Sequence, residues 1–101
     1  MDWLWTWGGT CFGYRDGDNL WTHDGRHAGR FVGDEVYDRN GAYLGEIMNS
    51  NRLITSRAKR GWHRPGFIPL PARTAYPRYT NNPGYTMPPD YEDFPAPETL
   101  R

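Results

Sequence analysis

Two side chains with nucleophilic or acid–base potential, Cys11 and His27, lie sixteen residues apart in this 101-residue chain. A thiol placed beside an imidazole is the arrangement of a cysteine nucleophile with its general base. A structural zinc site would need four such ligands, and Tyr43 occupies the next position at the same spacing. His23 and His63 are the remaining histidines. We predict no catalytic residue, no metal site and no cofactor.

A second candidate for chemistry is the basic stretch RLITSRAKRGWHR, residues 52–64, which contains five arginine or lysine residues and Trp62. An aromatic ring among cations is typical of a site that stacks on an unpaired base while contacting phosphates. The formal net charge of the whole chain is zero, whereas nucleic-acid-binding domains are usually basic. The alternative is that these cations pair with the acidic residues of the first half. The candidate interaction residues are Trp62, Arg57, Lys59, Arg60, Arg64, Tyr76 and Tyr79.

Three other patterns have structural explanations. The glycines of GRHAGRFVG lack the GxGxxG spacing and the following helix of a dinucleotide-binding loop. Aspartates beside glycines are ordinary in turns, and the loop that starts at Asp16 has His27 where calcium binding needs a glutamate. Trp3, Trp5 and Trp7 share one face of a strand. They suit sugar stacking, but we expect them in the core or in an interface.

The elements that position these residues are revealed by an internal repeat. Residues 5–20, 21–36 and 37–53, here called units 1, 2 and 3, share an aromatic first residue, glycines at fixed positions and an aliphatic last residue. The third copy is one residue longer. Self-similarity at a fixed period indicates a repeat architecture.

Each unit contains two turn signals. The first turns hold Gly8-Gly9, Asp24-Gly25 and Asn40-Gly41, dipeptides favoured in type I′ hairpins. The second turns hold Gly17-Asp18, Gly33-Asp34 and Asn49-Ser50, where asparagine replaces glycine in the left-handed region. We therefore predict an all-β fold of tandem antiparallel hairpins with a period of about sixteen residues.

A third glycine column, Gly13, Gly29 and Gly45, falls inside strands and predicts close approach by another backbone or by an aromatic ring. A fourth unit begins at Ile54 without a following turn dipeptide. We expect Met1–Leu4 to pair with this leftover strand and close the ring, because closure removes exposed strand edges.

The pattern WTxxGxxxGxxxGDxV, followed by VYDRNGAYLGEI, resembles the bacterial four-fold beta flower proteins, and GYTMPPDYEDFP is similar to the tail of some members. The resemblance implies hairpins arranged with pseudo-four-fold symmetry and a bacterial origin. It implies no activity and supplies no functional residues. This sequence departs from the family pattern in its eroded fourth unit.

The second half differs in composition. All nine prolines lie at or after Pro65, so we expect neither a helix nor a central strand beyond residue 64. We divide the chain into a hairpin-repeat domain, residues 1–62, and a proline- and tyrosine-rich arm with an acidic tip, residues 63–101. The arm carries too many aromatic residues for a plain linker. We expect it to lie across its own domain or a neighbour's, and the alternative is a free arm that awaits a partner.

These observations predict a non-catalytic protein-interaction or self-assembly module. The expected partner is a protein, with a second copy of the chain among the candidates, and single-stranded nucleic acid is the alternative through residues 52–64. The N-terminal stretch has no apolar run long enough for a signal peptide or a membrane span, so we expect a cytoplasmic protein that does not contact membranes.

Overall fold

The computed structural model describes residues 1–100, which form eight β-strands and two short 3-10 turns, with no α-helix in that range. The strands are β1 (Asp2–Thr6), β2 (Cys11–Asp16), β3 (Asn19–Thr22), β4 (His27–Val32), β5 (Glu35–Tyr37), β6 (Tyr43–Met48), β7 (Arg52–Ser56) and β8 (Tyr91–Asp93). The 3-10 turns span Arg57–Lys59 and Pro97–Thr99. Every strand pairs antiparallel with the next along the chain, which confirms the tandem hairpins.

All six predicted turns fall between strands, but the predicted type I′ conformation of the first turns is wrong. Only the second residue of each dipeptide has positive φ, at 97° for Gly9, 86° for Gly25 and 87° for Gly41. The amide of Gly9 donates to the carbonyl of Thr6, so a tight turn precedes a left-handed glycine. Three-residue loops of this kind use the same Asp-Gly and Asn-Gly dipeptides as type I′ turns. In the second turn of unit 3, Asn49 has φ of 53°, which confirms that it replaces glycine there.

The ring of strands closes between β1 and β7. These strands pair in parallel through Trp5 with Arg52 and Thr6 with Leu53. The closure expected from the leftover fourth strand is therefore present, but residues 5 and 6 make it rather than residues 1–4. The result is a closed sheet of seven strands in a flattened molecule of 36 × 33 × 21 Å.

The fourth unit is completed from the far end of the chain. Strand β8 pairs antiparallel with β7, and the register of Asp93 with Ile54 corresponds to that of His27 with Trp21 in the preceding units. This is a correction to the expected irregularity of residues 63–101. No proline lies between residues 90 and 94, so each residue of β8 retains the N–H that a ladder needs.

The core follows the four-fold repeat in two columns of four residues. Every member of the first column is fully buried, and three members of the second are buried, with Leu44 partly buried beside them. The columns are Leu4, Leu20, Val36 and Leu53, and then Phe12, Ala28, Leu44 and Phe94. Each hairpin thus contributes one aliphatic residue and one residue of variable size to a shared centre.

The third glycine column allows the strands to approach closely, as predicted. A Cβ built on Gly45 would lie 2.5 Å from the carbonyl oxygen of Ile54 and 2.6 Å from the ring of Phe94. Any side chain at position 45 would displace both strand β7 and the ring of Phe94.

Candidate functional site: the arm and its outer surface

The arm lies on its own repeat domain, which is the first of the two folded arrangements expected from the sequence. Its amides donate to the carbonyls of the three first-turn glycines: Arg64 to Gly41 at 2.8 Å, Arg73 to Gly25 at 2.8 Å and Asn82 to Gly9 at 2.9 Å. The arm therefore runs back over units 3, 2 and 1 in turn. A Cβ on any of these glycines would lie about 2 Å from an arm carbonyl oxygen. The three glycines are therefore needed both for the turn conformation and for the close approach of the arm.

These contacts recur every nine residues along the arm and every sixteen along the domain. Three residues after each of these donors, the arm has an aromatic residue whose amide also donates to the turn. The acceptor is the carbonyl two residues before the turn glycine: Phe67 donates to Arg39, Tyr76 to His23 and Tyr85 to Trp7. Sequence reasoning missed this second repeat. Its signal is the nine-residue spacing of the aromatic residues Phe67, Tyr76, Tyr85 and Phe94.

Side chains strengthen the attachment of the arm. Arg73 stacks over the ring of Trp21 at 4.0 Å and pairs with Asp16 at 2.8 Å. Arg52, only 4 % exposed, donates to the carbonyl of Pro83 at 2.8 Å and lies 4.2 Å from the centre of the Tyr85 ring. Arg52 also donates through Nη1 to the carbonyl of Trp7 at 3.3 Å, so its buried guanidinium links the turn after β1 to the arm.

The predicted cluster around Trp62 is largely engaged within the molecule. Lys59 binds Glu35 and Glu46, both at 2.8 Å, and these hydrogen bonds raise the pKa of its ammonium. Arg60 pairs with Glu92, and Arg52 is buried, so neither offers a free cation. The Trp62 ring remains 48 % exposed, with the Lys59 ammonium 5.2 Å from its centre.

Two predicted cations, Arg57 and Arg64, have no carboxylate within 4.0 Å in the described part of the chain, and both are exposed. Arg64 lies 5.7 Å from the centre of the Tyr37 ring. Tyr76 and Tyr79 are distant from this group along the arm. They pack on Trp3 of β1, with the centres of the Tyr79 and Trp3 rings 4.6 Å apart.

Cys11 and His27 occupy matching positions in neighbouring units, but each is engaged separately. Cys11 is fully buried, and this burial raises the pKa of its thiol, which opposes formation of a nucleophilic thiolate. The backbone amide of Leu70 donates to Nδ1 of His27 at 2.9 Å. Within residues 1–100, no group of three or more His, Cys, Asp or Glu side chains is placed to hold a metal ion.

Trp3 and Trp5 lie in β1, but Trp7 lies in the turn that follows it, so the three rings do not share one strand as expected. Trp7 is buried, and its indole N–H donates to the carbonyl of Thr86 at 3.1 Å. Trp5 is partly buried and donates to Thr80 at 3.0 Å. Their polar edges therefore meet the arm backbone, in keeping with the expectation that these rings serve packing.

A hairpin ring with a pseudo-four-fold core is thus established, and the comparison with known families agrees with it. A family model described as 4-fold beta flower protein matches residues 1–90. The chain belongs to this family. The matched range ends immediately before β8, so the closing strand and Phe94 lie outside it. No curated protein and no solved structure matches the chain.

The family name carries no activity. None of the helical segments in residues 1–100 has the length and apolarity needed to cross a membrane.

Proposed function

We propose that this member of the beta flower family is a non-catalytic protein-interaction and self-assembly module, and that the outer surface of its arm makes the contact. One observation carries the proposal. Nine large hydrophobic side chains are exposed in residues 1–100, and seven of them lie between residues 62 and 87. They are Trp62, Ile68, Leu70, Tyr76, Tyr79, Tyr85 and Met87. A concentration of exposed apolar side chains marks an interaction surface.

The arm suits binding because its backbone is already fixed. Six amide-to-carbonyl hydrogen bonds to the first turns hold it in place, so ordering it adds little to the entropy lost on binding. Tyrosine, tryptophan and methionine are also the residue types enriched in protein interfaces.

We infer that the first partner to test is a second copy of the chain. With a formal net charge of zero, two copies meet without overall repulsion. A small domain also gains stability when it buries surface in an oligomer. The proposal keeps the expectation of a bacterial, cytoplasmic protein.

Sedimentation equilibrium tests self-assembly directly. We expect a mass that is a multiple of 11.7 kDa for the natural chain and a monomer for the double variant Ile68→Ser, Tyr79→Ser. Val32→Ser is the matched control, because Val32 is 41 % exposed but lies outside the arm. A monomeric natural chain at every concentration would remove self-assembly, and equal loss in the control would move the contact away from the arm.

Point variants are preferable to deletion of the arm. Truncation after residue 64 would also remove β8 and Phe94, which belong to the ring and its core. A truncated chain that fails to associate would therefore report unfolding rather than a lost interface.

Single-stranded nucleic acid is the second candidate, supported by the half-exposed Trp62 and by the unpaired Arg57 and Arg64. Binding of a labelled DNA or RNA oligonucleotide at low and at physiological salt tests it. Affinity that survives physiological salt and drops about tenfold on Trp62→Ala would favour this candidate. Binding that salt abolishes and that Trp62→Ala leaves unchanged would eliminate it.

A further inference from the structure

The four-fold core is interrupted at one position. The second column places Phe12, Leu44 and Phe94 at equivalent sites, but unit 2 has Ala28 there. An alanine among these larger side chains leaves space that its neighbours must fill or leave open. Leu100 packs against the core cluster and lines the same cavity as Ala28.

A cavity of about 350 Å³ opens beside Ala28, between units 2 and 3 and beneath the arm. Pro69, Leu70 and Leu100 supply apolar walls, while Arg26 and Arg39 stand in its lining as cations. A concave site with an apolar interior and a few charged groups is the usual form of a small-molecule site.

The two arginines distinguish this position from its repeats. The residues equivalent to Arg26 are Thr10 and Ala42, and those equivalent to Arg39 are Trp7 and His23. The small core residue Ala28 and the two arginines therefore occur together at only this one of the three equivalent places in units 1, 2 and 3. Arg39 has no carboxylate within 4.0 Å in residues 1–100, and Arg26 approaches Asp24 only through Nε, at 3.6 Å.

The other titratable groups at the cavity leave its positive character in place. Asp38 also lines it, but its Oδ1 accepts the amides of Asn40 at 2.9 Å and Ala42 at 3.0 Å and so is directed into the turn. His27 forms part of the wall and accepts the Leu70 amide through Nδ1. Burial lowers the pKa of His27, and the nearby Arg30 and Arg73 lower it further.

We propose that this cavity binds a small amphipathic anion: a carboxylate with an apolar chain or ring. The apolar body lies against Ala28, Leu70 and Leu100, and the carboxylate faces Arg26 and Arg39. A guanidinium binds a carboxylate through paired N–H donors, and Arg39 has none of them committed to another carboxylate in the described chain. Leu70 belongs both to the cavity wall and to the exposed arm surface proposed for protein binding, and the other residues of the two sites differ.

Octanoate and 1-octanol form a matched pair of probes, because they share the apolar chain and differ in the charge. Titration of each into the ¹⁵N-labelled full chain, followed by amide chemical shifts, reports both affinity and place. We expect octanoate to shift the amides of Ala28, Asn40 and Leu70, and 1-octanol to bind at least about tenfold more weakly.

Three variants complete the test. Ala28→Leu restores the residue of unit 3 at the same position and should weaken octanoate at least about tenfold, because the larger side chain takes up part of the apolar wall space. Arg39→Gln should weaken octanoate about tenfold, whereas Arg57→Gln, an exposed arginine outside the cavity, should leave it unchanged. Unchanged affinity for octanoate in Ala28→Leu, equal binding of 1-octanol, or no shift with octanoate would each overturn the proposal. None of these outcomes depends on self-assembly.

Discussion

At the scale of single residues, His27 couples the repeat domain to the arm. Its ring stacks on Trp21 at 5.1 Å and lies 5.0 Å from Phe67, while Nδ1 accepts the Leu70 amide. A protonated Nδ1 can no longer accept that hydrogen bond. Burial is the main reason that the pKa of His27 lies below its ordinary value. The neutral form is therefore part of the folded state.

Acid should loosen the arm through this residue. The pKa of His27 is lower in the folded than in the unfolded chain, so the unfolded state binds more protons between the two values. Its stabilisation is complete above about pH 6.5 and is lost as the pH falls through the folded-state value. We expect the free energy of unfolding in urea to decrease from about pH 7.5 to about pH 5.

His27→Asn is the appropriate control, because the asparagine Oδ1 stands where Nδ1 accepts the Leu70 N–H and does not titrate in this range. The variant should show a flatter dependence on pH over the same interval. Glu35, whose pKa is lowered by its hydrogen bond from Lys59, loses its stabilisation only at lower pH. If natural chain and variant fall in parallel, the acid sensitivity belongs to another group.

At the scale of elements, the first turns connect the sixteen-residue repeat of the domain to the nine-residue repeat of the arm. Gly25 illustrates this role: its φ is 86°, and a Cβ on it would lie 2.1 Å from the carbonyl oxygen of Arg73. Gly33, in a second turn, has φ of 61° and nothing within 4 Å of a built Cβ. Both glycines have a left-handed backbone conformation, but only Gly25 contacts the arm.

Gly25→Ala should therefore destabilise the protein more than Gly33→Ala. The left-handed backbone alone costs a non-glycine residue about 1 kcal/mol, and Gly25→Ala should add about 1–2 kcal/mol through lost arm hydrogen bonds. Urea unfolding measures the difference, and hydrogen exchange should accelerate at Arg73 and Tyr76 in Gly25→Ala alone. Equal losses in the two variants would mean that the arm adds little to stability.

The hairpins could be predicted from sequence because their signal is local. A turn such as Asn40-Gly41 restricts its own backbone, and repetition at a fixed spacing reveals the strands between the turns. The family resemblance, resting on the same residues, was confirmed by the match to residues 1–90.

The arm and the closing strand were harder to predict, since their contacts are long-range. Arg64, Arg73 and Asn82 attach the arm through backbone amides, which nearly every residue type possesses. Strand β8 is only three residues long and lies among prolines, so propensity argued against it. The candidate cations also could not be distinguished from sequence: only the fold shows that Lys59 pairs with two glutamates, while Arg57 pairs with none in residues 1–100.

At the scale of the whole molecule, the core enclosed by the ring is completed by residues from the far end of the arm. Phe94 is 3 % exposed, packs 5.3 Å from Phe12 and continues directly from β8. Asp93 accepts the amide of Gly8 at 3.1 Å and so joins β8 to the turn after β1. The fourth side of the core is thus supplied by the last tenth of the chain.

Phe94→Ala should cost about 3–5 kcal/mol of unfolding free energy, the usual range for a buried phenylalanine. Phe67→Ala is the matched control: it belongs to the same nine-residue series but is only partly buried, on the outside of the ring. We expect it to cost less than half as much. Thermal or urea unfolding of both variants would measure the loss of unfolding free energy. Comparable losses in the two variants would show that Phe94 has no special part in completing the core.

The position of β8 also determines when the molecule can fold during its synthesis. Ribosomes deliver a chain from its first residue onward, so β1 through β7 emerge well before the strand and the phenylalanine that complete their fourth side. Until then, the edge of β7 at residues 54–56 and the buried faces of Phe12 and Leu53 lack their final cover. The arm, already docked over three turns, can hold its own end close to that gap. The fourth side of the core is therefore completed only after β8 and Phe94 have emerged, and a chain that stops before β8 would leave the edge of β7 and the buried face of Phe12 uncovered.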